Sequence, residues 1–289
     1  MDKCIKKVAA LFVILFLATG CFKRDDLEDV NIYTTVYPIQ YVTDFLYGYN
    51  SKVKSIYPAE TVIEDFELTK KQVGEYALGT VFVYNGLTDE KFIARDLLNE
   101  NNNLKIINVS QGLEYVNSVE ELWLNPSDFL MLAHNVKNGL EEYISNKYII
   151  EEINKNYEDL KVLISSFDAE LQMAIENASD KNILIANDTL SFLSKYGFSV
   201  TNVDSSKKEV PSTIKTKAKA LIKDKSIKFI YMLDTDEKSE LVTELEGLGA
   251  EVRVIRSMTV LSEEEVANDV TYKNMMRDNI EAIKEELYS

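Results

Sequence analysis

The sequence predicts an α/β protein built as two similar lobes with parallel sheets, joined by one long rigid helix. Three observations carry this reading. Short β-branched and aromatic runs alternate with amphipathic segments over residues 29–109, and the same rhythm returns from residue 182. Between the two blocks, residues 140–196 hold no proline or glycine and carry a single apolar stripe. A chain of 289 residues, 46% of them hydrophobic, has material for two cores rather than one.

The elements follow in order. Residues 30–36 read Val-Asn-Ile-Tyr-Thr-Thr-Val and form a strand, residues 39–47 a helix and residues 52–57 a second strand. Residues 68–77 are helical, and residues 80–84 make a third strand closed by Asn85-Gly86. A helix over 90–98 and a strand over 104–109 complete the block. Short strands alternating with helices imply a parallel sheet covered on both faces. The second block gives strands at 182–186, 198–203, 227–232 and 251–255, with helices at 189–195, 213–223, 237–248 and 272–287.

In the middle, Ile150, Ile153, Tyr157, Leu160, Ile164, Phe167, Leu171 and Ala174 recur at three- and four-residue spacing. An unbroken helix over 149–177 would be about 43 Å long at 1.5 Å per residue. Such a stripe also suits a coiled-coil seam. Flanked by two lobes, it reads more simply as a helix packed across both. The expected divisions are 1–20, 21–28, 29–146, 147–178 and 179–289.

The first two divisions are a targeting segment and a tether. Lys3, Lys6 and Lys7 precede an apolar run over 8–17, too short to span a bilayer. Ala18-Thr19-Gly20-Cys21 then resembles the bacterial lipobox, so Cys21 is the expected lipidation site. Of the two cysteines, Cys4 leaves with the signal and Cys21 carries lipid, so neither a disulfide nor a metal thiolate is expected. This places the protein on the extracytoplasmic face of the cell membrane, lipid-anchored, with residues 21–28 as a polar tether.

The formal net charge is -16, which argues against nucleic acid and anionic lipid headgroups as partners, since both need basic patches. There is no GxSxG elbow, phosphate loop or HExxH, and the lone histidine leaves the common nucleophile–base pairs unavailable, so an enzyme is not expected.

Several motifs occur together in order. Thr35-Val36-Tyr37-Pro38 follows the first strand, and Asp65-Phe66-Glu67-Leu68-Thr69 comes next. Val81-Phe82-Val83-Tyr84-Asn85-Gly86, Trp123-Leu124-Asn125-Pro126 and a closing segment from Tyr272 to Asn279 follow. Together they resemble the metal-type solute-binding lipoproteins of zinc and manganese ABC importers, over nearly the whole chain beyond the tether. The resemblance implies a metal-type periplasmic-binding-protein fold, a solute in the cleft between lobes, and an ABC permease with its ATPase as partners to a monomer.

The resemblance also implies ligand positions, and there the sequence departs. The two histidine positions that the motifs mark are Glu64 and Glu121. A third ligand position is Asn187, beside Asp188, and a carboxylate position aligns with Arg256. A further carboxylate falls near Asp234. His134, the only histidine, lies on a helix after Pro126 and outside this set. The loop that is histidine-rich in zinc-buffering members carries Asn101-Asn102-Asn103 instead.

Three readings stand side by side. Oxygen donors from Glu64, Glu121, Asn187 and Asp188 or Asp234 suit Mn²⁺, Mg²⁺ or Ca²⁺, with Zn²⁺ disfavoured. Alternatively, Arg256 replaces the metal by bridging Glu64 and Glu121, in a site closed by a Glu–Arg cluster. Or the cleft takes a different small solute. In function, the favoured expectation is a solute-binding importer component, and the alternative is an adhesion or interaction lipoprotein on the same fold.

Overall fold

The computed structural model describes residues 30–204 and 209–287. The expected signal segment and tether, with Cys21, lie outside these residues. Among the described residues, two four-stranded parallel sheets form. In the first, β1 (Val30–Thr34) is flanked by β2 (Ser51–Ser55) and β3 (Val81–Tyr84), and β4 (Lys105–Asn108) forms the far edge. In the second, β5 (Asn182–Ile185) lies between β6 (Ser199–Asn202) and β7 (Phe229–Leu233), with β8 (Glu251–Ile255) outermost. The strand order is therefore 2-1-3-4 in both lobes.

Helices cover the first sheet: α1 (Tyr37–Tyr47), α2 (Lys70–Ala77), α3 (Glu90–Glu100), a short α4 (Glu121–Leu124) and α5 (Pro126–Tyr143). Helix α2 starts two residues later than the apolar pattern suggests because Thr69 caps it. The Thr69 hydroxyl accepts from Gln72 N, and the Gln72 side chain accepts from Thr69 N. Gly139 on α5 is required by close approach: a Cβ there would lie 2.3 Å from Ile107 of β4.

Helix α6 (Lys147–Asn177) runs 31 residues, about 46 Å at 1.5 Å per residue. It buries Ile149, Ile153, Leu160, Ile164, Phe167, Leu171 and Ala174. Its partners are α1 and α5 in the first lobe and the closing helix α10 (Tyr272–Leu287) in the second. One continuous apolar cluster consequently includes residues of both sheets and of α6. A rod buried along its length against both lobes fixes their separation.

The second lobe adds α7 (Ser212–Lys223), α8 (Glu240–Gly247) and α9 (Glu263–Ala267). Its central strands β5 and β7 are buried on both faces. Phe229, Tyr231 and Leu233 of β7 join the shared core, while Ile230 and Met232 face a second cluster with Leu184, Ala218 and Val242. The segment after β5 is a 3-10 helix over Asp188–Tyr196, capped by Asn187 accepting from Thr189 N at 2.8 Å. It ends at Gly197, whose φ of 101° lies in the left-handed region that only glycine adopts freely.

Candidate functional site at the lobe seam

The loops that follow the strands of each sheet meet along a seam, and backbone groups carry much of its bonding. Tyr37 N donates to Thr259 O and Glu60 N to Leu261 O, both at 2.9 Å. Trp123 Nε1 donates to Ser257 O at 2.7 Å. Asn117 Nδ2 donates to Asp188 O at 3.0 Å, and the Ser118 and Thr189 hydroxyls lie 2.6 Å apart. Tyr272 OH donates to Trp123 O at 2.7 Å, and its ring stacks on Phe129 with centroids 4.1 Å apart. Direct contacts thus close the lobes on one another.

Each residue at an expected ligand position has a defined place. Glu121, buried, accepts Val116 N on one carboxylate oxygen and Asn117 N on the other, both at 2.9 Å. These two bonds hold the loop that presents Asn117 and Ser118 to the second lobe. Asn187 caps its 3-10 helix and donates to Asp236 Oδ1 at 2.8 Å. Burial raises the Asp236 carboxyl, against the Leu233 N–H and the Asn187 amide, which favour its charged form. Asp188 accepts from Asn202 Nδ2 at 2.5 Å.

Arg256 does not bridge Glu64 and Glu121. Its Nε donates to Asp234 Oδ2 at 3.0 Å and its Nη2 pairs with Glu265. Asp234 also accepts Ser257 N at 2.8 Å, and Glu265 closes the capping box of α9 with Ser262. The physical reason is local. Arg256 leaves the end of β8 beside the end of β7, where Asp234 stands, and α9 brings Glu265 to the same spot. The guanidinium therefore pins residues 257–262, whose carbonyls receive the first lobe's donors. Glu64 sits exposed on a 3-10 turn, Ile63–Asp65, and its carboxylate makes no ion pair among the described residues. His134 is exposed on α5, with its ring 5.7 Å from that of Tyr157, away from the seam. Among the described residues, no group of three or more His, Cys, Asp or Glu side chains is arranged to hold a metal ion.

Sequence reasoning did not single out Glu265, although Ser262-x-x-Glu265 is a visible capping-box pattern. It also missed Asn117, Ser118 and Asp236, whose roles depend on contacts across the fold. A cavity of about 640 Å³ beside Glu64, lined in part by Trp123 and Thr259, had no sequence signal of its own.

Two parallel-sheet lobes meeting along a seam on a single spanning helix define a two-lobed periplasmic solute-binding fold. The chain belongs to the family described as zinc-uptake complex component A, periplasmic, whose model matches residues 32–286. It is 22% identical over 320 residues to the high-affinity zinc uptake system protein ZnuA of Bacillus subtilis strain 168, covering 98% of each chain. It is 21% identical over 309 residues to the zinc-binding lipoprotein AdcA of Streptococcus pneumoniae, covering 99% of this chain and 61% of AdcA. Among solved structures, the metal-dependent lipoprotein YcdH of B. subtilis superposes with a TM-score of 0.73 at 20% identity, covering 90% of this chain and 100% of that one. The Zn(II)-bound ZnuA-like domain of S. pneumoniae AdcA superposes with a TM-score of 0.72 at 20% identity, with the same coverage. At such identities the structures establish the fold. Among the described residues, no helix is long and apolar enough to cross a membrane.

Proposed function

We propose that this chain is the solute-binding component of an ABC importer, held at the membrane by lipid on Cys21, in which the expected ligand positions other than Glu64 serve as internal fastenings. The observation that carries the reading is the engagement of those positions. Both oxygens of Glu121 are taken by main-chain N–H groups, and Arg256 is taken by Asp234 and Glu265. A divalent cation must displace such bonds to gain Glu121 or Asp234, and it would meet a guanidinium beside Asp234. Zn²⁺, Mn²⁺, Mg²⁺ and Ca²⁺ are accordingly poor cargo for this seam, and the partners are a permease and its ATPase.

Calorimetric titration of the purified protein with Zn²⁺ and Mn²⁺ tests the loss of the metal site. Weak, non-stoichiometric heats are expected, and one-to-one binding at micromolar Kd or below would overturn it. Cross-linking in membranes, expected to recover a polytopic subunit together with an ATPase, tests the importer role separately.

A further inference from the structure

The cavity of about 640 Å³ lies between the loop that carries Glu64 and helix α3, and Thr259 brings the second lobe to its wall. This size falls in the range of small-molecule sites, about 300–1,000 Å³. One part of the wall is aromatic, with Tyr57, Phe66, Phe92 and Trp123. Another part is acidic, and no lysine or arginine lines the cavity among the described residues. Among the described residues, Glu64, Glu67, Asp89 and Glu120 line it without an ion pair, whereas Asp96 is already paired with Arg95 at 3.0 Å. Lys91 and Arg95 rest against the Phe92 ring at 5.2 and 5.3 Å.

Two buried groups complete the lining. Glu90 is only 5% exposed, and one of its oxygens accepts Asn85 N at 2.7 Å. The Thr259 hydroxyl is buried without a hydrogen-bond partner among the described residues. Carboxylates of one sign set against aromatic faces suit a cation with an apolar body, because the ring quadrupoles and the acids both attract positive charge. A divalent metal fits poorly here, since its dehydration is offset only by several converging ligands, and no such group exists among the described residues.

We propose that this cavity binds a small organic ammonium ion, an amine carrying an aromatic or methylene body, and that this is the class of solute the protein takes. The inference rests on the reading of the chain as a solute-binding component. The ammonium meets the unpaired acids, and the body packs on Tyr57, Phe66 and Trp123. Contact with Thr259 ties occupancy to closure, because the Thr259 carbonyl accepts the Tyr37 N–H across the seam.

Trp123 is the only tryptophan in the chain, so its fluorescence reports on the cavity directly. The full-length protein in detergent would be titrated with phenethylamine, spermidine and, as the uncharged match, phenethyl alcohol. At least one amine is expected to bind with a Kd of about 1 mM or tighter, at least about tenfold better than the alcohol. The rim variant Glu67→Gln/Glu120→Gln is expected to weaken amine binding about tenfold with its unfolding midpoint unchanged. The proposal is overturned if neither amine binds by about 10 mM, if the alcohol binds equally well, or if the double variant binds as the parent does. Such a failure leaves the metal titration and the membrane cross-linking unaffected, so it is told apart from a failure of the importer reading.

Discussion

The indole N–H of Trp123 donates to the main-chain carbonyl of Ser257 at 2.7 Å, with both residues buried and 134 positions apart in sequence. This bond joins the end of α4 in one lobe to the segment after β8 in the other. Ser257 N in turn donates to Asp234, and Asp234 holds Arg256. The seam is therefore a chain of linked fastenings, and each link can be removed separately.

Arg256 is the central link in the second lobe. Glu265 is 7% exposed, so removal of the guanidinium strands a nearly buried carboxylate. Arg256 itself is about two-fifths exposed, which discounts the effect through solvent screening. Arg256→Met is expected to cost about 1–2 kcal/mol in urea unfolding. A double-mutant cycle with Glu265→Gln should show coupling of at least about 0.5 kcal/mol. Additive single effects would mean that the pair contributes nothing beyond its members.

Glu121 supports the opposite side. Glu121→Ala removes the acceptor for two main-chain donors, Val116 N and Asn117 N. The expected loss is about 2 kcal/mol. Amide exchange at Val116 and Asn117 should also accelerate by at least about tenfold relative to the rest of α4 and α5. Unchanged protection at these two amides would show that the loop is held by other contacts.

Much of this architecture was legible in the sequence, and the reason is periodicity. The α6 stripe and the two-sided strands β5 and β7 follow from local pattern alone, because burial imposes a 3.6-residue period on a helix packed on one face and a continuous apolar run on a strand covered on both. Capping shifted boundaries by a few residues, as at Thr69 and Asn187. The pairing of Arg256 was not legible. Sequence alignment placed it near the lost ligands, but which carboxylates it meets depends on how β7, β8 and α9 converge. Asp234 and Glu265, 22 residues before it and 9 after it, are brought there only by the folded sheet. The cavity beside Glu64 was invisible for the same reason, since its wall collects residues from five separate stretches of chain.

Glu90 makes stability depend on pH. Burial pushes its carboxyl from the ordinary 4.5 up to about 7, while the Asn85 N–H opposes that shift. The folded protein thus holds a proton that the unfolded chain releases between these values. Stability from this group is full below about pH 4.5 and declines as pH rises towards and through about 7, by about 3 kcal/mol in all. Glu90→Gln keeps an acceptor for Asn85 N and cannot ionise. Its unfolding free energy should change less than the parent's between pH 5 and pH 8, and the variant should be the more stable at pH 8. Parallel pH profiles for the two proteins would refute the assignment to Glu90.

The proposed membrane attachment through Cys21 is tested by removing its thiol. Cys21→Ala should move the protein from the membrane fraction to the soluble fraction, without changing the unfolding of the purified domain. Retention in the membrane fraction after this change would point to attachment through some other contact.

The side-chain latch across the seam separates closure from folding. Asn117 Nδ2 bonds Asp188 O, and the Ser118 and Thr189 hydroxyls bond one another, so both links join the lobes. Asn117→Ala/Ser118→Ala removes them while leaving Glu121 and its two main-chain donors in place. Two neutral hydrogen bonds are worth about 1–3 kcal/mol together. The main-chain bonds at Thr259 and Leu261 and the Trp123–Ser257 bond persist, so wholesale separation of the lobes is not expected. Helix α6 limits motion further by packing along both lobes. The expected result is faster amide exchange at Thr189 and Leu190, with a small-angle scattering profile close to that of the parent. A large rise in radius of gyration would show that the latch, rather than the backbone seam and α6, sets the closed state.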